Sequence, residues 1–178
     1  MMENIFKTGI AQSLTDVMNS RDMRNQLQNE LIQRYPTATV LAIKLNIPGP
    51  IKNNQYLIDL FRQGYREFRK QLSDNAVQVI TEIDWTRDTG RESILVVDSG
   101  ALALKQIAIE FEDNTNFGRL FDIDVLSLSV GHLSRADLNL PVRCCLICSR
   151  PAKECARSRQ HSIEELQNKI SAIYVAYR

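Results

Sequence analysis

The stretch Gly118-Arg119-Leu120-Phe121-Asp122-Ile123-Asp124-Val125 constrains this chain more than any other. Successive side chains of a strand point to opposite faces, so as a strand it sets Phe121, Ile123 and Val125 on one side and Leu120, Asp122 and Asp124 on the other. Positions two apart lie roughly 6.6 Å apart along a strand, close enough for both carboxylates to reach one cation. In a cleft, like charges raise one of the two pKa values unless a positive charge lies between them. The pair therefore reads as a Mg²⁺ site, or as the solvated outer face of an ordinary strand.

The rest of the chain supplies the frame for that strand. Ile10, Leu14, Val17 or Met18, Leu27 and Leu31 recur at helical intervals, which predicts a helix over residues 10–34, with a break near Asn19-Ser20 and an end at Pro36. Arg21 and Arg24 share one face of it, to be solvated or to grip a phosphate. Thr39 to Ile47 is β-branched and apolar with Lys44 as its one charge, a largely buried strand. Pro48-Gly49-Pro50 then imposes a rigid loop that carries Lys52, either as a structural turn or as a ligand contact.

Leu57, Leu60, Phe61, Gly64, Phe68 and Leu72 mark a second helix. Strands over Ala76–Trp85 and Ser93–Val97 flank a turn at Asp88-Thr89-Gly90, as in a hairpin. Asp98 or Ser99 is the expected cap of a helix striped with Ala101, Leu104, Ala108 and Phe111. Written out, residues 39–128 are β-α-β-β-α-β. This order predicts an α+β fold with an antiparallel-rich, ferredoxin-like sheet, a nucleotidyltransferase-like mixed sheet being the alternative. Ser134 to Asp137 reads as a capped turn, residues 141–161 as a Cys- and Arg-rich loop, and Ser162-Ile163-Glu164-Glu165 as a capping box opening a terminal helix over 162–178.

At 178 residues the chain fits a single domain, 1–178, with the composition of an ordinary globular protein (44% hydrophobic, 24% charged). No apolar run approaches the roughly 18 residues of a membrane span, and the start, with Glu3, does not read as a signal peptide. A cytoplasmic protein without a membrane partner is expected. The net charge of +1 points to no nucleic-acid partner in bulk, but the charge is unevenly placed. Acids cluster between Glu110 and Asp124 and bases between Pro141 and His161, as a site for metal and polyphosphate would need, or as two solvated faces would also show.

All four cysteines fall between Cys144 and Cys155, which argues for local thiol or metal chemistry rather than a disulfide framework. Cys145, Cys148, Cys155 and His161 form Cys-x2-Cys-x6-Cys-x5-His, a donor set for structural Zn²⁺, with reduced structural cysteines as the other reading. Arg157, Arg159 and His161 run into the N-terminus of the last helix, where free N–H groups favour a phosphate; simple surface coverage is the plainer reading of the arginines. P-loop, dinucleotide-binding and Gly-x-Ser-x-Gly motifs are absent, and two histidines, His132 and His161, leave little room for histidine chemistry. Metal-assisted transfer fits better. A zinc-knuckle nucleic-acid module is the rival, weakened because no Phe, Tyr or Trp lies between Asp122 and Ile173 to stack on bases.

The blocks Asn46-Ile47-Pro48-Gly49-Pro50 with Lys52, Gly118 to Val125, Cys145-Leu146-Ile147-Cys148, and Cys155 to Ser162 resemble, in this order, the citrate lyase holo-acyl-carrier-protein synthases, or apo-citrate lyase phosphoribosyl-dephospho-CoA transferases. Many members carry tryptophan where this chain has Phe121. The resemblance implies a bacterial cytoplasmic enzyme. A serine of the apo acyl-carrier subunit of citrate lyase attacks the α-phosphorus of triphosphoribosyl-dephospho-CoA, and pyrophosphate leaves. On this expectation Asp122 and Asp124 bind Mg²⁺, and Arg119, Arg157, Arg159, His161 and Lys52 hold phosphoryl charge. A non-catalytic assembly subunit of the lyase is a further alternative.

Overall fold

A computed structural model describes residues 4–115 and 117–177. The reading of the chain start that uses Glu3, and the last residue of the terminal segment, Arg178, lie outside them. Helix α1 spans Leu14–Arg34, strand β1 Thr39–Leu45, α2 Gln55–Asp74, β2 Gln78–Arg87, β3 Gly90–Asp98, α3 Ala101–Asn114, β4 Phe121–Ser127, β5 Gly131–Leu133, α4 Ala152–Arg157 and α5 Ile163–Ala176. The five strands form one sheet in the order β2-β3-β1-β4-β5, and every pairing in it is antiparallel. No helix among the described residues is long and apolar enough to cross a membrane.

Both faces of the sheet are buried in its centre. On one face, Leu41, Ile43, Leu95, Val97, Phe121, Ile123 and Val125 pack with Phe61, Phe68, Phe111 and Ile170 of the helices α2, α3 and α5. On the other, Val40, Ala42, Ile94, Val96 and Leu126 pack under Leu31 and Ile32 of α1. That double coverage is why β1 reads as a continuous apolar run instead of alternating. Gly64 lets α2 approach the ring of Phe121, since a Cβ there would overlap the ring edge. Gly118 is equally obligatory, because a Cβ would collide with the Phe111 carbonyl and stand 2.8 Å from the Glu112 Cα.

Several boundaries differ from the sequence expectation for local reasons. Helix α1 begins at Leu14, not residue 10, because Ser13 and Asp16 form a capping box. It runs unbroken through Asn19-Ser20, and the buried Ser20 hydroxyl accepts a hydrogen bond from Thr89 at 2.9 Å. Neither Asp98 nor Ser99 caps α3. Asp98 is paired in the ladder with Gln78, the Ser99 carbonyl accepts from Thr39, and Gly100 takes the cap position without a side-chain bond. Ala76 sits in a left-handed turn (φ 55°), so β2 starts at Gln78. Strand β5 and the short α4 carry too few residues for a periodic signal and are absent from the sequence expectation. The Ser162–Glu165 box opens α5 as its sequence indicates.

The Pro48-Gly49-Pro50 loop is a docking element. Gly49 (φ +83°) leaves no room for a side chain against Gln167 and Ile163 of α5, Gln167 donates to the Pro48 carbonyl at 3.2 Å, and Gln12 N–H donates to that of Pro50 at 2.9 Å.

Candidate functional site

Helix α1 covers only part of its face of the sheet. Beyond its apolar footprint the same face turns polar, because the register brings charged residues of neighbouring strands side by side. Lys44 on β1 lies opposite Asp122 on β4 and opposite Glu92 on β3, while Asp124 pairs with Ala42. The Lys44 Nζ stands 2.8 Å from Asp122 Oδ2 and 2.6 Å from Asp124 Oδ2. On β5, His132 places Nε2 3.0 Å from Asp124 Oδ1. Arg24 of α1 closes the row by pairing with Glu92 at 2.5 Å.

The cation that the carboxylate pair needs is thus supplied by the adjacent strand. Burial opposes the charge of Lys44, but Asp122 and Asp124 together hold its pKa above the ordinary lysine value. Burial would push the Asp124 carboxyl up, yet its bonds to His132 and Lys44 hold it well below the usual carboxylate range. The Asp124 bond in turn raises His132 above an ordinary histidine, against a smaller effect of burial.

The outer edge of β4 is open at its start, since β5 pairs only with residues 125–127. Two buried side chains of α3 replace the missing strand there. Glu112 accepts the Ile123 N–H at 3.0 Å and Lys105 donates to the Ile123 carbonyl at 3.2 Å. Arg135 reaches Glu112 at 2.8 Å and Asp113 at 2.7 Å, tying the segment after β5 to the same helix. These buried charges fix where Asp122 and Asp124 point.

Next to the carboxylates lies a cleft of about 200 Å³ lined by Asn46, Pro48, Arg119, Arg143, Cys145 and His161, among others. The Arg119 guanidinium is engaged in its wall, donating to the carbonyls of Cys144 at 2.6 Å and Cys145 at 2.8 Å. Arg143 donates to the Arg119 carbonyl and stands 3.9 Å from Asp122. The two arginines lock the cysteine segment to the start of β4.

The residues singled out from sequence do not all converge. Arg119 lines the cleft and Asp122 approaches it through Arg143, whereas Asp124 lies further along β4 against Lys44 and His132; the ligand atoms of Cys145, Cys148, Cys155 and His161 lie within 4.8 Å of one another. Lys52 instead donates to the Ile47 carbonyl at 2.6 Å on another side of Lys44, its pKa lowered by burial. Arg157 and Arg159 are exposed and line no part of this cleft, and the Ser162–Glu165 box already occupies N–H groups at the start of α5. Lys44, His132 and Arg143 were not legible as site residues. A lone charge in an apolar strand marks Lys44, but pairing with Asp122 and Asp124 exists only in the folded register.

An α+β protein with a charge-paired carboxylate site beside a Cys₃His pocket is what fold and site define, and comparison with known proteins narrows that class. The sequence profile of the family described as apo-citrate lyase phosphoribosyl-dephospho-CoA transferase matches residues 12–177. A Streptococcus pyogenes serotype M18 protein named "Probable apo-citrate lyase phosphoribosyl-dephospho-CoA transferase" is 35% identical over 97% of this chain and 91% of its own length. The Escherichia coli O7:K1 protein of the corresponding name is 34% identical over 92% of this chain and 88% of its own. The Haemophilus influenzae "Protein CitXG" is 34% identical over 97% of this chain, which spans 38% of that longer protein. This chain belongs to the apo-citrate lyase phosphoribosyl-dephospho-CoA transferase family.

Proposed function

We propose that this chain is a cytoplasmic, nucleotidyltransferase-type enzyme that moves the phosphoribosyl-dephospho-CoA group from triphosphoribosyl-dephospho-CoA to a serine of the apo acyl-carrier subunit of citrate lyase. The observation that carries the reading is the family match over residues 12–177. The charged row Lys44, Asp122, Asp124 and His132 beside an arginine-lined cleft supports it. The whole chain acts as a single transferase domain. The scaffold is read as ferredoxin-like, on the strength of the order β2-β3-β1-β4 and the two crossover helices α2 and α3.

In the reaction the serine Oγ forms a bond to the α-phosphorus, the bond from that phosphorus to the bridging oxygen breaks, and pyrophosphate leaves with the electron pair. The serine proton passes to His132, whose Nε2 is held by Asp124 and whose Nδ1 is thereby the basic nitrogen. Lys44 and Arg143 stabilise charge on the phosphoryl oxygens, and Arg119 keeps the cleft wall in place. The residues that would hold Mg²⁺ are Asp122 and Asp124. Their oxygen donors suit that hard cation, which would share the two carboxylates with the Lys44 ammonium. When bound, the ion neutralises the triphosphate and acidifies the attacking hydroxyl.

The test is the intact mass of the apo acyl-carrier subunit after incubation with this protein, the triphosphoribosyl donor and Mg²⁺. A gain equal to phosphoribosyl-dephospho-CoA with release of pyrophosphate, abolished by EDTA, is expected. An unchanged mass on a folded carrier overturns the assignment.

A further inference from the structure

Residues 134–161 pose a packing problem. Across that whole segment the only buried side chains are Cys145 and Cys155. Beyond the partly buried Leu146 and the arginine contacts, so little apolar surface contributes little to fixing such a length of chain, and small units of this kind are ordered by disulfides or metals. The four cysteines are free thiols.

The backbone nevertheless takes a defined shape around them. Cys145 N–H donates to the Arg150 carbonyl at 2.7 Å, Ala152 N–H to that of Arg143 at 2.8 Å, and Cys144 bridges Pro151, so that Cys145 and Cys148 sit in the turn of a small hairpin. Cys155 follows on α4 and His161 just before α5. The three thiols and the imidazole converge with all ligand atoms within 4.8 Å of one another. In a tetrahedral zinc site, Zn–S bonds of about 2.3 Å and Zn–N bonds of about 2.0 Å put ligand atoms roughly 3.5–3.8 Å apart, so a small contraction completes the sphere.

One feature beyond the spacing points to an ion at the centre. The His161 Nε2 is buried and has no hydrogen-bond partner, an orphaned acceptor or donor that a metal bond would satisfy. The Ile147 N–H points at the Cys145 sulfur at 3.5 Å, a contact from the turn that fixes where this sulfur faces. Three sulfurs and one imidazole nitrogen select a soft or borderline cation and not Mg²⁺.

We propose that Cys145, Cys148, Cys155 and His161 bind one structural zinc ion, and that this ion holds the cleft wall against the carboxylate strand. The coupling runs through two arginines. Arg119, next to β4, donates to the Cys144 and Cys145 carbonyls, and Arg143, on the hairpin, donates back to the Arg119 carbonyl and reaches Asp122. The ion closes four coordination bonds with no open position for substrate, so its role is to shape the pocket. Binding displaces the thiol protons to solvent. Cys144 is exposed and outside the set.

The test is metal content of the full chain purified without chelators and without a metal-affinity tag, together with titration of the metal-free protein with Co²⁺ alone. One zinc per chain is expected, and Co²⁺ should give the strong thiolate-to-metal absorption and visible bands of a tetrahedral site. Cys144→Ser should keep the ion, whereas Cys155→Ser should lose more zinc affinity than the roughly 10- to 100-fold caused by loss of an outer-shell partner. Should Cys155→Ser fail to fold, the Co²⁺ titration of the unaltered chain still decides. Absence of zinc together with an octahedral or negligible Co²⁺ spectrum overturns the proposal, as does zinc retention by folded Cys155→Ser. These readouts are independent of transferase activity.

Discussion

The Lys44 Nζ lies 2.6 Å from Oδ2 of Asp124 on the neighbouring strand, and the same ammonium reaches Asp122 at 2.8 Å. A single cation on β1 therefore bridges both carboxylates of β4, one residue pair beyond the apolar cluster under α1. Replacing it leaves two like charges facing one another and removes a donor aimed at incoming phosphate. We expect Lys44→Met to slow transfer about 100- to 1,000-fold, the usual cost of one preorganised donor. Carrier mass against time checks this, with circular dichroism to verify folding, and a wild-type rate would remove Lys44 from the site.

Asp124 contacts both Lys44 and His132, so Asp124→Asn breaks the centre of the cluster while preserving shape. Transfer is expected to fall by orders of magnitude, and the urea midpoint at neutral pH to fall with the stability that the charge-paired carboxylate contributes. A rate loss no larger than the fraction of unfolded protein accounts for would instead make Asp124 a structural residue.

His132 provides the pH signature. Its raised pKa means that the folded state binds the proton more tightly than the unfolded chain, so its contribution to stability is complete below about pH 6.5 and fades as pH rises through the folded value. Asp124 acts in the opposite window: its lowered pKa stabilises the fold above about pH 3.9 and that contribution is lost as acid protonates it. An NMR titration, assigned with His132→Gln, should place the His132 midpoint above that of a free histidine and return it towards normal in Asp124→Asn. A midpoint below the free value would contradict the observed pairing.

Gly118 admits no Cβ beside the Phe111 carbonyl and Glu112. Gly118→Ala should destabilise by about 1–3 kcal/mol, the range for overpacking a filled site. An unchanged denaturant midpoint would mean that the turn before β4 shifts freely, and Asp122 with it.

Glu112 has a structural job despite its charge. Glu112→Leu leaves the Ile123 N–H unpaired on the open edge of β4, which should cost about 1–3 kcal/mol beyond any loss of its Arg135 pairing. Glu110→Ala on the exposed side of the same helix should leave the midpoint unchanged. Hydrogen exchange at Ile123 reads the first effect directly, and continued protection there would refute it.

Much of the architecture was legible because it is local. The period of apolar residues marks α2 and α3, the Ser162 box marks the start of α5, and the alternation from Phe121 to Val125 sets Asp122 and Asp124 on one face. The start of α1 was misread by four residues because Ser13-Asp16 outweighs the apolar Ile10, which stays exposed. Lys52 looked like a phosphate ligand by its place in a rigid loop, but its ammonium turns to the Ile47 carbonyl.

By itself the sequence determined the longer elements, the family blocks and the spacing of the Asp pair and of the Cys and His residues, since these depend on spacing along one chain. Only the tertiary structure decided which charges share a site. Lys44, Asp122 and His132 come from three strands, and their contact depends on the antiparallel register of β1, β4 and β5, while Arg119 and Arg143 meet only because the cysteine hairpin folds back on β4. Register is set by which apolar face is buried under which helix, a property of the whole core that no local stretch contains.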